Sequence, residues 1–131
     1  MRRSTANHTR WITQPAPKWA STSGLHVIDP VGYLEFLGLE RDATLVITDS
    51  GGVQEETTYL QVPCLTLRAN TERPVTISDG TNQLMGENPR DLIPAVSSIL
   101  EGWKPSGRRP PLWDGQAGSR IARVFTSGRH C

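Results

Sequence analysis

The sequence lacks the features that mark several large protein classes. Among its 131 residues no apolar run approaches the ~18 residues that a membrane-crossing helix needs, so no membrane association is expected. Met1-Arg2-Arg3 opens the chain without the apolar stretch of a signal peptide, which leaves the arginine pair only a faint echo of a twin-arginine signal. There are two cysteines, Cys64 in an apolar stretch and Cys131 at the last position. Two such cysteines make no disulfide framework and fit a reducing cytoplasm. His8, His26 and His130 are scattered, without metal-ligand spacing, so neither a metal nor another cofactor is expected. Charge of one sign is also missing: 14 basic and 13 acidic residues give a net charge of +1, which offers no argument for a nucleic-acid partner. Lys104, Arg108 and Arg109 form one basic cluster, but Pro and Gly between them read as a solvated loop. The length allows one domain with a modest core.

Two kinds of sequence are present. Residues 1–24 are polar and irregular, with Pro15, Pro17 and a Ser-Thr-Ser-Gly run, and only Trp11 and Trp19 as apolar anchors. An irregular arm is expected there, and a short tail at 128–131. From Leu25 the pattern becomes regular. His26-Val27-Ile28 reads as a short buried strand, and Tyr33–Leu39 as a helix with Tyr33, Phe36 and Leu37 on one side. Thr44–Thr48, Cys64–Leu67 and Asn82–Met85 read as strands, and Gly52–Leu60 as a helix stopped before Pro63. Pro89–Leu100 is the clearest helix, capped by Asn88, with Leu92, Ile93, Val96, Ile99 and Leu100 in one stripe. Asp114 is the expected cap of a last helix carrying Ala117, Ile121, Val124 and Phe125. Strands alternating with helices predict an α/β fold with a parallel sheet, whose ligands sit at the carboxyl ends of the strands.

One motif stands at such an end. Thr48-Asp49-Ser50-Gly51-Gly52-Val53-Gln54-Glu55-Glu56 joins an apolar β-branched segment to a helix start. There the first N–H groups have no partners inside the helix, and the dipole adds roughly half a positive charge. Glycine permits close approach of a phosphate, Ser50 adds a donor, and Glu56 or Glu55 offers acceptors for sugar hydroxyls. A plain strand-to-helix turn with ordinary N-terminal acids is the competing reading of these nine residues. After the next strand come Arg68 and Thr71-Glu72-Arg73-Pro74, whose guanidinium groups match phosphate oxygens in a bidentate way. Asp49 is expected to fix the turn, Arg68 to pair with Glu72, and Glu55 to be solvated or to cap the helix.

With these blocks in order, the chain resembles the non-hydrolysing UDP-N-acetylglucosamine 2-epimerases. Ile28-Asp29-Pro30, Tyr33-Leu34-Glu35-Phe36, the Thr48–Glu56 motif, Thr71-Glu72-Arg73-Pro74, Gly80-Thr81 and Asp114-Gly115-Gln116-Ala117 carry the resemblance, from about Leu25 to Phe125. It implies the C-terminal, Rossmann-like lobe of a truncated GT-B-type (UDP-glycosyltransferase/glycogen phosphorylase-like) enzyme, spanning 25–127. It implies UDP or a UDP-N-acetylhexosamine as partner. It assigns the diphosphate to Ser50, Gly51 and Gly52, the ribose to Glu56, the uracil to Phe36, and the phosphate or sugar to Arg73. Phe36 on an apolar helix face is otherwise an ordinary core residue.

The family's reaction inverts C2 of the sugar and needs acid and base groups near that carbon. The resemblance implies that these come from an N-terminal lobe and from a Thr-His-Arg-Arg-Glu block, neither of which is found here. Asn7-His8-Thr9-Arg10 stands too close to Asp29 to substitute for that block. No catalytic residue is therefore assigned. Three readings stay open: a truncated 2-epimerase involved in cell-surface polysaccharide synthesis and inactive alone, completed by a missing lobe or by a homo-oligomer partner; a stand-alone nucleotide-binding module; and a fragment of a GT-B glycosyltransferase.

Overall fold

The computed structural model describes residues 22–86 and 88–127. The expected arm therefore lies outside it up to residue 21, with Trp11 and Trp19, as does the tail at 128–131. The chain divides into two compact units, Met1–Gly32 and Tyr33–Cys131. In the first, the described residues form a turn in which the Leu25 N–H donates to the Thr22 carbonyl at 3.1 Å, followed by extended chain. The strand expected at His26–Ile28 is not there: Val27 and Ile28 are solvent-exposed. A strand requires a neighbour to take its N–H and C=O groups, and three apolar residues ended by Asp29-Pro30 have none among the described residues of that unit.

The second unit holds helices α1 (Tyr33–Asp42), α2 (Gly51–Leu60), α3 (Val75–Ser78), α4 (Pro89–Leu100) and α5 (Ala117–Thr126) and strands β1 (Val46–Thr48), β2 (Cys64–Thr66) and β3 (Asn82–Leu84). The strands form one parallel sheet in the order β1-β2-β3, with Val46 beside Cys64 and Cys64 beside Asn82. The central strand β2 is buried along its length, as the apolar run predicted. Helix α2 ends on Gln61 in the left-handed region (φ 61°), whose N–H bonds back to the Thr57 and Thr58 carbonyls, and Pro63 then prevents continuation. Asn88 caps α4 as expected, its side chain accepting from the Arg90 N–H at 3.1 Å.

Three features differ from the sequence pattern. The residue that caps α5 is Gln116, while Asp114 stands two residues earlier, where its carboxylate accepts from the Gln116 N–H at 3.0 Å and pairs with Arg120. Short α3 was not anticipated; Pro74, with φ −58°, is already in helical conformation and leads into it. The apolar stripes of α4 and α5 are only partly used. Ile99 is buried, but Ile93, Leu100, Ile121, Val124 and Phe125 (82 % exposed) face solvent.

What is buried is largely polar. Among the described residues Val62, Cys64, Leu65 and Ile99 are the buried apolar side chains, whereas Glu40, Gln54, Thr57, Thr58, Thr66, Thr76, Thr81 and Asn82 are buried polar ones. Such a core is held by directional bonds, since a buried polar group without a partner costs about 1–3 kcal/mol. Thr57 Oγ1 donates to the Val53 carbonyl at 2.7 Å, Thr81 Oγ1 to the Val62 carbonyl at 2.6 Å, and Thr66 Oγ1 to Asn82 Oδ1 at 2.6 Å. Burial pushes the Cys64 thiol pKa up, which leaves it a packing group and a poor nucleophile.

Candidate functional site

The parallel sheet brings two loops to one rim: β1 ends at Thr48 and delivers the Gly51-Gly52 turn, and β2 ends at Thr66 and delivers the Arg68–Arg73 loop. The turn is shaped by Thr48, whose Oγ1 accepts from the Ser50 N–H at 3.0 Å; the bond expected of Asp49 is made by its neighbour. Ser50 is the N-cap of α2, in extended conformation, and its side chain makes no capping bond. The Gln54 N–H reaches the Ser50 carbonyl at 3.3 Å, so the N–H groups of Gly51, Gly52 and Val53 precede the first turn of helical bonding. Three donors, an uncommitted hydroxyl and the positive end of a ten-residue helix thus face one opening.

Arg73 stands over this opening. Its Nε lies 3.9 Å from where a side chain on Gly51 would begin, and 3.3 Å from Glu55 Oε1. Both members of that ion pair are about half exposed, so it contributes at most about 1 kcal/mol to stability. Its more important effect is orientation: Nε is held by Glu55, which leaves the two terminal nitrogens to fork onto an anion. Glu55, expected to be solvated or to cap the helix, is partly exposed to solvent and also pairs with Arg73. Arg68 pairs with Glu72 at 3.3 Å, as anticipated.

Glu56 lies one turn along α2, on the seam with α1. Tyr33 stands near Glu56, and the Glu56 carboxylate raises the phenol pKa. Glu40, 2 % exposed, faces Glu56 from the end of α1, and neither of its carboxylate oxygens has a donor among the described residues. Burial, then the neighbouring Glu56 carboxylate, push Glu40 up to about 7. A hollow of about 450 Å³ adjoins this seam, between Tyr33, Leu37, Glu56, Tyr59 and Trp113. Arg109 covers its edge, 4.0 Å above the Tyr59 ring. Phe36 occupies α1 between Tyr33 and Glu40, 39 % exposed.

The structure thus brings Ser50, Gly51, Gly52 and Arg73 to one opening. It sets Glu56 beside it, in a cluster with Tyr33 and Glu40, and leaves Phe36 on α1 with a partly open ring. Another hollow, of about 800 Å³, lies between β3 and the Trp103–Arg108 segment, and none of these residues lines it. Sequence reasoning passed over Glu40 and Gln54. Glu40 left a trace: Tyr33, Leu37 and Glu40 recur at helical spacing, which puts a carboxyl on an otherwise apolar stripe. Gln54 left none, because a polar residue inside a polar motif gives no sign of being buried.

The chain matches the family UDP-N-acetylglucosamine 2-epimerase over residues 4–126. It is 50% identical over 113 residues to the UDP-N-acetylglucosamine 2-epimerase of Methanocaldococcus jannaschii, covering 86% of this chain and 30% of that protein. To the Escherichia coli K12 enzyme of the same name it is 39% identical over 107 residues, 79% of this chain and 28% of the relative. A crystal structure of the M. jannaschii enzyme in complex with UDP-GlcNAc and UDP superposes with a TM-score of 0.72 at 50% identity, covering 85% of this chain and 30% of that one. The Neisseria meningitidis enzyme bound to UDP-GlcNAc superposes with a TM-score of 0.74 at 31% identity, covering 82% and 30%. The chain therefore spans about 30% of the length of these relatives.

Proposed function

The chain belongs to the UDP-N-acetylglucosamine 2-epimerase family, and from that premise we propose that it is the UDP-holding, C-terminal part of such an enzyme's cleft. The fold is the parallel α/β lobe of a GT-B-like protein. In this reading the diphosphate lies on the N–H groups of Gly51, Gly52 and Val53 and on the Ser50 hydroxyl. Arg73 neutralises it from above. Glu56 accepts from the ribose hydroxyls, and Phe36 lies against the uracil. The sugar is an N-acetylhexosamine, and the reaction served is the interconversion of UDP-GlcNAc and UDP-ManNAc for cell-surface polysaccharide, in the cytoplasm.

The observation that carries this reading is the placement of Arg73 over the unpaired helix start, with its Nε held by Glu55. In this reading the donors there serve one anion, and the acceptors stand back along α2. That arrangement holds a substrate by its leaving group. It supplies nothing that moves a proton at C2 of the sugar, and catalysis requires interactions specific to the transition state. Inversion at C2 is therefore assigned to residues outside this site.

Titration calorimetry at millimolar UDP tests the assignment. The wild-type chain should bind weakly, because the site is open on one side. Ser50→Ala should lower the affinity several-fold and Glu56→Ala by roughly tenfold, the scale of a lost hydrogen bond to a charged group. Equal heats for the three proteins would remove UDP from this rim.

A further inference from the structure

Arg73 is an exposed residue on a loop, yet both polar atoms of its backbone are held. Its N–H donates to Thr71 Oγ1 at 3.0 Å. Its carbonyl accepts from Thr76 Oγ1 at 2.7 Å and from the Thr76 N–H at 3.0 Å. Each of these two threonines is in turn tied to the interior. Thr71 Oγ1 donates to Gln54 Oε1 at 2.6 Å, and Asn82 Nδ2 donates to Thr76 Oγ1 at 3.1 Å and to the same Gln54 oxygen at 3.3 Å. Asn82 is fixed on its other side by Thr66 Oγ1 at 2.6 Å. The result is a closed circuit through Gln54 on α2, the Thr71–Arg73 loop, Thr76 on α3 and Asn82 on β3.

Gln54 is 0 % exposed, and its Nε2 has no partner among the described residues. A buried amide with an unpaired donor is a net cost at a position used only for packing, where an apolar side chain of the same size would serve. The amide is explained by its oxygen. That oxygen joins, from within the core, the helix that carries the anion turn to the loop that carries the cation. Thr71 is the link: its hydroxyl hydrogen goes to Gln54, which leaves the oxygen lone pairs for the Arg73 N–H.

We propose that Gln54 is a positioning residue for anion binding, acting through Thr71 to hold Arg73 at a fixed height above the Gly51-Gly52 turn. The inference rests on the reading of that turn as a diphosphate site. It adds that the position of the Arg73 backbone is set from inside the core, while the exposed Glu55–Arg73 pair orients the guanidinium.

The experiment uses the full chain and four proteins: wild type, Gln54→Met, Thr71→Val and Thr71→Ser. UDP affinity is measured by calorimetry, and backbone amide exchange by NMR without ligand. Gln54→Met keeps the volume and removes the acceptor; Thr71→Val removes the link; Thr71→Ser keeps it. UDP affinity should fall about tenfold in the first two and stay within about twofold of wild type in Thr71→Ser. Exchange of the Arg73 amide should accelerate in Gln54→Met and Thr71→Val, while the amides of Leu65 and Thr66 in the sheet keep their protection. Wild-type affinity in Gln54→Met would overturn the inference while leaving the UDP site standing. A loss of affinity accompanied by equal acceleration across the sheet would overturn it too, as general destabilisation. Absence of UDP binding by the wild-type chain would remove the site and this inference together.

Discussion

Glu40 shows how one residue's surroundings set a property of the whole chain. It is buried against Glu56, and its pKa is raised from the ordinary 4.5 to about 7. A carboxyl with a raised folded-state pKa favours folding while it is protonated. That contribution is complete below about 4.5 and is lost as pH rises through about 7. Stability of the wild-type chain should therefore fall across that window by an amount on the order of 2 kcal/mol, and flatten above it. Glu40→Gln keeps the shape but cannot ionise. It should be more stable than wild type at pH 8 and similar to it at pH 4.5. Urea melts of both proteins at several pH values decide the matter, and parallel slopes would mean that Glu40 ionises freely. The Arg120–Asp114 pair has the opposite sign, since it holds the Asp114 carboxyl at about 2, but both groups are solvated and a visible effect is confined to strong acid.

At the scale of elements, two devices can be tested by substitution. Helix α4 contains Pro94 in its interior, where the residue offers no N–H to the carbonyl one turn back and its ring crowds that carbonyl. Pro94→Ala should stabilise the chain by roughly 1–3 kcal/mol, read as a higher melting temperature, because the position is exposed and alanine restores the missing bond. The second device is a backbone contact between the segment after α4 and the turn before β3. The Arg108 N–H donates to the Asp79 carbonyl at 2.6 Å, and a side chain on Gly107 would run into the Gly80 carbonyl. Backbone cannot step aside as a side-chain tip can. Gly107→Ala should therefore cost about 1–3 kcal/mol in a thermal melt, whereas Gly118→Ala, which meets open space, should not. A neutral Gly107→Ala would show that this segment is not seated on Gly80.

For the molecule as a whole, the UDP-holding groups and the proton-transferring groups are expected to be separable. The purified chain should convert no detectable UDP-GlcNAc to UDP-ManNAc in a chromatographic assay, because binding a leaving group does not lower the barrier at C2. Turnover that co-purifies with the chain and is abolished by Arg73→Ala would place the chemistry within this lobe after all.

Apart from short α3, the order of strands and helices in the second unit, and the two strand-end loops, were legible in the sequence because they depend on local rules. Apolar β-branched runs make strands, Asn88-Pro89 starts a helix, and Gly51-Gly52 between strand and helix leaves N–H groups open; none of these needs knowledge of distant residues. The same rules misled at His26–Ile28, where local propensity was right for a strand but pairing is a property of neighbours. They also could not foresee that the interior would be filled by Thr57, Thr66, Thr76, Asn82 and Gln54, since burial of a polar side chain is possible only when partners from other elements meet it. The sequence by itself determined that the Gly51-Gly52 turn and the Arg68–Arg73 loop stand at the carboxyl ends of neighbouring strands. Only the tertiary structure decided that Glu55 pairs with Arg73, that Glu40 is buried close to Glu56, and that Gln54 ties the two loops together. Each of those pairings joins residues whose distance is fixed by how α1, α2 and β3 stack on the sheet, and not by their spacing along the chain.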